Sequence, residues 1–132
     1  MKIIKIEYLI KKGLFSHSAL YSNILDEITT SIHLVRWPKG AAQFSIYPEK
    51  DGNGVVPIKA SCMESLISYG WKTEQSLSLA SRIKPGPVDA IKEVPPEKYF
   101  AVEWETGNIS SSHRALNKMA VGLIDGTSLL SG

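Results

Sequence analysis

The chain has 132 residues, a formal net charge of +2 and 43% hydrophobic residues, the balance of an ordinary single globular domain. This composition excludes collagen, coiled coil and wholesale disorder, and no apolar run approaches the ~18 residues that a membrane-spanning helix needs. The charged start MKIIKIEYLI lacks a signal-peptide cleavage site, and the single Cys62 cannot form an internal disulfide. We therefore expect one domain over residues 1–132 and a cytoplasmic location.

Three segments have the apolar spacing of amphipathic helices. The first covers about 18–35 and ends where proline and glycine follow, because both residues interrupt helices. The second begins at Pro57, where a first helical residue tolerates the missing N–H, and is capped by Gly70. The third covers 111–124, and Ser110 is its candidate N-cap.

Short segments of alternating or β-rich residues predict strands between these helices. The segment YFAVEWE, residues 99–105, has the strongest strand signal of the chain. Further strands are predicted over 1–8, 42–48, 76–84, 87–93 and 127–130. Helices and strands that follow one another in this order predict an α/β domain, with helices covering a mixed central sheet.

Three acidic residues stand out by their spacing on the predicted strands. Glu103 and Glu105 are two residues apart, so a regular strand would direct both side chains to one face. Asp89 lies on the neighbouring predicted strand. Three carboxylates placed together form the oxygen-rich type of site that Mg²⁺ prefers, and such a site could polarise a phosphodiester. The same carboxylates are also typical of the solvated face of an edge strand.

A resemblance to a known family favours the metal-site interpretation. The segments PVDAIK and FAVEWETGNISSSHRALNKMA, within 87–120, resemble type II restriction endonucleases of the BamHI/BglII-like branch of the PD-(D/E)xK nuclease superfamily. The segment GNGVVPIKASCMESLISYGWKTE, residues 52–74, is similar to the stretch that precedes the acidic core in that group. The resemblance covers residues 43–124 and implies a restriction-endonuclease-like core with a mixed sheet flanked by helices.

The resemblance also implies roles for the acidic residues. Asp89 and Glu103 match the two metal-binding acids of the superfamily, and they would hold Mg²⁺. Glu105 stands where most members carry lysine; the BamHI-like branch has an acid there, which would bind metal or activate the attacking water. Glu74 would be an additional catalytic acid donated by the preceding helix, although an ordinary surface glutamate is an equally good interpretation.

Polar residues at the start of the third predicted helix are candidate DNA contacts. Asn108, Ser110 and Arg114 lie at offsets from Glu103 that match base-contacting positions in the BamHI-like group. Asparagine can pair with adenine and arginine with guanine, and a helix N-terminus favours phosphate. Alternatively, Asn108 occupies a tight turn, Ser110 caps the helix and Arg114 is a surface residue. Lys118, farther along the helix, would contact DNA or offset charge, or would be a solvated surface lysine.

Taken together, the resemblance implies a Mg²⁺-dependent type II restriction endonuclease that hydrolyses both strands of a short palindromic DNA site. Palindromes match two-fold symmetric proteins, so a homodimer is expected, and so is a companion DNA methyltransferase. Related enzymes continue beyond the position that corresponds to Gly132, which predicts a truncation at the C-terminus. A truncation leaves the alternative of a non-cleaving relative that binds DNA weakly or not at all. A third interpretation is a structural or interaction domain whose acids are only surface charge.

Overall fold

The computed structural model describes residues 1–8, 11–46, 55–75, 87–96, 98–105, 109–124 and 129–130. The chain divides into two compact units, Met1–Tyr69 and Gly70–Gly132. Over the described ranges, no helix is both long enough and apolar enough to cross a membrane.

The described residues of the first unit form two α-helices and a short 3₁₀ turn at Phe15–His17. Helix α1 covers Ala19–His33, and helix α2 covers Val55–Ser68. The Ser18 side chain is the N-cap of α1, because its oxygen accepts a hydrogen bond from the Tyr21 backbone N–H at 3.1 Å. The predicted helix over about 18–35 is thereby confirmed. The second helix is also confirmed, although it begins before Pro57, which is its third residue.

Helices α1 and α2 pack against each other through small and apolar side chains. Ile24 on α1 and Leu66 on α2 are fully buried. Ser31 is also fully buried, and its hydroxyl donates to the Ser65 hydroxyl oxygen at 2.8 Å. The polar atom inside this contact is therefore satisfied, as burial requires.

The predicted strand over 1–8 is wrong, because this described segment has no regular secondary structure. The Met1 ammonium instead donates to the carbonyl oxygens of His33 and Val35, at 3.3 and 2.5 Å. A cation at this position stabilises the C-terminal end of α1, where helix carbonyls lack intrahelical partners. In the predicted strand over 42–48, the described residues form only an isolated bridge between Trp37 and Phe44.

The second unit contains a four-stranded sheet and helix α3. The strands are β1 Lys72–Gln75, β2 Val88–Val94, β3 Lys98–Val102 and β4 Leu129–Leu130, and α3 covers Ile109–Ile124. Their order in the sheet is β1-β2-β3-β4; β1, β2 and β3 pair antiparallel, and β4 joins β3 in parallel. The α/β class and the mixed sheet are thus confirmed, whereas the single-domain assignment over 1–132 stays a prediction.

An apolar cluster between the sheet and α3 holds the second unit together. Val88, Ile91 and Ala101 form its buried centre, and Tyr99 and Met119 pack against them. Met119 belongs to α3, so this helix covers one side of the β2–β3 pair. Elsewhere in the unit, Trp71 and Phe100 are buried and meet edge to face, with ring centroids 6.2 Å apart.

The strands differ from the sequence prediction in two places that matter for the site. Strand β1 occupies residues 72–75, where no strand was predicted, and the predicted strand over 76–84 lies outside the described residues. Strand β3 ends at Val102, three residues earlier than the predicted strand over 99–105. Consequently, both Glu103 and Glu105 follow the strand rather than lying on it.

Burial of Cys62 on α2 predicts a thiol that is protected in the folded chain. The residue is 2% exposed, and burial raises its thiol pKa from 9.0 to about 11. We expect no reaction with Ellman's reagent at pH 8 in buffer and rapid reaction in urea. As pH rises from 9.0 towards 11, the unfolded thiol loses its proton first, so stability falls over this window and is retained below it.

The Cys62→Ala variant is the control for this prediction, since it cannot show the thiol-linked fall in stability between pH 9 and 11. Fast labelling of the native chain at pH 8 would contradict the buried position of Cys62.

Candidate functional site

The register of β2 and β3 brings Asp89 and Glu103 together. The register ends with the pair Ala90–Val102, so Asp89 of β2 and Glu103, the first residue after β3, come next to each other along the two segments. Their side chains are within hydrogen-bonding reach, and both are half-buried. Two carboxyl groups that are separate in sequence thus share one location at the end of the β2–β3 pair.

Asp89 also holds the backbone that leaves β3. Its Oδ2 accepts a hydrogen bond from the backbone N–H of Trp104 at 2.6 Å. A charged acceptor makes this a stronger bond than a neutral amide pair, and it satisfies a backbone donor beyond the end of the strand. Asp89 therefore has a structural role in placing Glu103, in addition to the role predicted from the sequence.

Lys118 of α3 completes the group of charges. Its ammonium donates to Glu103 Oε1 at 2.6 Å and to the carbonyl oxygen of Pro87 at 3.0 Å. The Lys118 and Glu103 side chains are only 14% and 10% exposed. The lysine thus links α3 to the residue before β2 and to the residue after β3, and its interpretation as a solvated surface lysine is wrong.

The environment of Glu103 disfavours its charged form. Burial raises its carboxyl pKa, the Lys118 ammonium opposes this rise, and the neighbouring Asp89 carboxylate adds to it; the net pKa is raised. A group with this balance keeps its proton to a higher pH than an exposed glutamate does. A second cation beside Glu103 would favour its ionised form.

The donor set of this group fits a hard divalent cation. Asp89 and Glu103 offer carboxylate oxygens, and Mg²⁺ is commonly held by one or two carboxylates, with waters and substrate phosphates completing its shell. Within the described part of the chain, no group of three or more His, Cys, Asp or Glu residues could hold a metal ion. The candidate ligands that the described residues bring together are thus these two acids.

Glu105 and Glu74 lie differently from their predicted positions. Glu105 is exposed and follows the end of β3, so the prediction that it shares a strand face with Glu103 is wrong. Glu74 lies on β1, so its donation by a helix is also wrong. The pairs Thr73–Ala90 and Gln75–Val88 place Glu74 beside Asp89 in the β1–β2 register. Its side chain is exposed and its φ of 52° departs from strand geometry.

The candidate DNA contacts lie around the first turns of α3. Ser110 is the second residue of the helix, so the interpretation that it caps the helix is wrong. Ser110 and Arg114 are both exposed, one helical turn apart. Asn108 lies outside the described residues. The first turns of α3 thus present hydroxyl and guanidinium groups at the surface.

The sequence held a signal for the Lys118 contact. Ala115 and Gly122 are buried on α3, and Met119 packs on the sheet cluster, so the positions 115, 118, 119 and 122 form one helical face. Lys118 therefore occupies a position of the sheet-facing stripe. Because a buried ammonium requires acceptors, a lysine at such a position predicts an ion pair with the acids of the sheet.

The bond from Trp104 to Asp89 predicts different effects for two substitutions of Asp89. Asp89→Ala removes the acceptor and leaves the Trp104 N–H without it, which should lower the free energy of unfolding by about 1–3 kcal/mol. Asp89→Asn retains an acceptor oxygen and should lose much less. Urea unfolding of the metal-free chain measures both values, and equal values would show that the backbone bond contributes nothing measurable.

Comparisons with known proteins identify the family of the chain. The profile of the family described as restriction endonuclease BamHI matches residues 1–131. The chain is 48% identical over 125 residues to the type II restriction enzyme OkrAI of Oceanobacter kriegii; the match covers 95% of this chain and 62% of that protein. It is 40% identical over 122 residues to the type II restriction enzyme BamHI of Bacillus amyloliquefaciens, covering 87% and 57%.

The chain thus spans about three-fifths of the length of these relatives, 62% and 57%. The matched region includes Asp89, Glu103 and Lys118, since the family profile extends over nearly all of the chain. The chain belongs to the BamHI family of type II restriction endonucleases.

Proposed function

We propose that this chain carries the metal-binding centre of a Mg²⁺-dependent endonuclease that cleaves both strands of a short palindromic DNA site. The observation that carries the proposal is the adjacency of the Asp89 and Glu103 carboxyl groups at the end of the β2–β3 pair. In a member of a restriction endonuclease family, two half-buried acids in contact are the natural candidates for metal ligands.

Asp89 and Glu103 would hold the Mg²⁺ ion. When bound, such an ion polarises the phosphodiester and lowers the pKa of a bound water. The protein's own contribution is to keep both carboxylates in place before the ion arrives. In the metal-free chain, Asp89 is held through the Trp104 N–H, and Glu103 through the Lys118 ammonium.

The remaining acids are proposed to act beside this pair. Glu105 is exposed and two residues from Glu103, so its carboxylate can accept a proton from the attacking water or serve as a further ligand. Glu74 occupies the register position next to Asp89 on β1 and would add negative charge there. The exposed positions of both residues support roles on the substrate side.

DNA contacts are proposed at the start of α3. Ser110 and Arg114 are exposed there, and Asn108 immediately precedes the helix; hydroxyl, guanidinium and amide groups suit phosphate oxygens and base edges. Lys118, which the sequence also suggested as a DNA contact, has its ammonium on Glu103. We therefore propose that Lys118 does not contact a base. Its effect on bound DNA would come from offsetting the negative charge of Asp89 and Glu103, the acid site.

The proposal includes partners that the palindromic target requires. Two copies related by a two-fold axis would place one acid site on each strand, so a homodimer is the expected active form. A DNA methyltransferase that modifies the same site would protect the host genome, and the enzyme would act in the cytoplasm, where that DNA lies.

Substitution of the acid pair tests the proposal directly. Glu103→Gln and Asp89→Asn should each lower Mg²⁺-dependent cleavage of unmethylated duplex DNA by about 10²-fold or more, because the developing charge loses its cation. Glu93→Gln, a matched loss of one exposed carboxylate on β2, should leave cleavage unchanged. The measurement is the appearance of discrete fragments with Mg²⁺ and with Mn²⁺, and their absence with EDTA.

The outcome also separates the alternatives. If the chain binds Mn²⁺ through Asp89 and Glu103 but leaves DNA intact, it is a non-cleaving relative that retains the metal centre. If it does neither, the acids are surface charge and the proposed function is wrong.

Arg114 provides an independent test of the DNA surface. Arg114→Ala should weaken binding of the cognate duplex by about 5- to 150-fold in metal-free buffer, the cost of losing a base or phosphate contact. Lys98→Ala, which removes an exposed cation at the other end of the β2–β3 pair, is the control and should have little effect. Fluorescence anisotropy at several salt concentrations measures both. Equal weakening in the two variants would indicate bulk electrostatics instead.

A further inference from the structure

Lys118 is a lysine on the sheet-facing side of α3. On that side, Ala115 is buried, and Met119 packs on the apolar cluster of the sheet. Its own side chain is 14% exposed. A charged group at such a position is costly unless it is paired, so its contacts determine whether the helix can pack there.

Lys118 contacts one member of the acid pair, Asp89 and Glu103, and the backbone that precedes the other. The ammonium lies 2.6 Å from Glu103 Oε1 and 3.0 Å from the Pro87 carbonyl oxygen. Pro87 lies two residues before Asp89, and Asp89 itself contacts Glu103. The ammonium is therefore the cation that balances one of two adjacent carboxylates.

A metal ion held by Asp89 and Glu103 would have to share this location. The 2.6 Å contact places the ammonium on one oxygen of Glu103, so any cation bound to that carboxylate lies close to a second positive charge. Cations in such proximity repel, and they compete for the same lone pairs. The Glu103 carboxylate therefore stabilises each cation less than it would stabilise one cation alone.

We propose that the Lys118 ammonium is an internal counter-cation that competes with the divalent ion for Glu103. It holds Glu103 in place in the metal-free chain, and it leaves Glu103, or weakens its contact with it, when the ion binds. This inference rests on the proposed metal site at Asp89 and Glu103. Lys118 is accordingly a positioning residue, and the pairing makes metal affinity lower than the two acids alone would give.

Substitution by methionine removes the charge of Lys118 and retains a side chain of similar length. Lys118→Met should bind Mn²⁺ about fivefold or more tightly than the unsubstituted chain, the lower end of ordinary coupling between sites. The metal-free variant should melt at a lower temperature, because Glu103 loses the cation that is paired with it. Saturating Mn²⁺ should close this gap in melting temperature, since linkage requires both effects together.

Two further variants make the test specific. Lys98→Met has the same change of charge at an exposed position on β3, at the far end of the β2–β3 pair, and should leave Mn²⁺ affinity unchanged. Lys118→Arg keeps a cation and should retain weak binding. Mn²⁺ affinity is measured by titration calorimetry and by the electron paramagnetic resonance signal of unbound Mn²⁺, and neither readout depends on DNA cleavage.

The outcomes separate this inference from the proposed function. If Lys118→Met binds Mn²⁺ equally or less tightly while Glu103→Gln and Asp89→Asn abolish binding, competition is wrong and the metal site stands. If neither the unsubstituted chain nor any variant binds Mn²⁺, the proposed metal site is wrong, and so is this inference. The comparison requires a folded variant. If Lys118→Met aggregates, Lys118→Gln is measured in its place with the same two readouts.

Discussion

The antiparallel register of β2 and β3 is the constraint on which the acid site depends. Pairing of Ala90 with Val102 brings the next residues, Asp89 and Glu103, close together where β3 ends. A shift of the register by one residue would turn each side chain of β2 away from its partners on β3 and out of the apolar cluster. The apolar contacts of Val88, Ile91 and Ala101 therefore set the position of the charged groups.

That register creates an electrostatic problem which the rest of the site answers. Two carboxyl groups in contact and half-buried repel each other, and burial together with Asp89 raises the pKa of Glu103. The chain compensates with two donors of different kinds: the Trp104 N–H on Asp89 and the Lys118 ammonium on Glu103. Each donor comes from a segment that follows β3 in the chain. The end of β3 and the packing of α3 are thus part of the site as much as the acids are.

The sequence predicted a helix or strand correctly where its apolar spacing agreed with the packing that the segment has in the fold. Helix α1, strand β2 and helix α3 have residue spacing typical of one type of secondary structure. All three lie close to their predicted ranges. The segment 1–8 alternates in the same manner as a strand, but alternation does not supply a neighbour with which to pair. Strand β1 was missed for the opposite reason: KTEQ has little β character, and pairing with β2 determines its conformation.

The acid site was predictable in its members but not in its geometry. Treating YFAVEWE as one regular strand gives Glu103 and Glu105 the same face, and hence the same role. The strand ends at Val102, and the Asp89–Trp104 bond fixes the backbone beyond it, so Glu103 turns to Lys118 while Glu105 stays exposed. Two acids of one ExE motif thereby acquire different environments, and different environments give carboxylates different chemistry. A half-buried, paired Glu103 suits a metal ligand, whereas an exposed Glu105 suits a group that meets water or DNA.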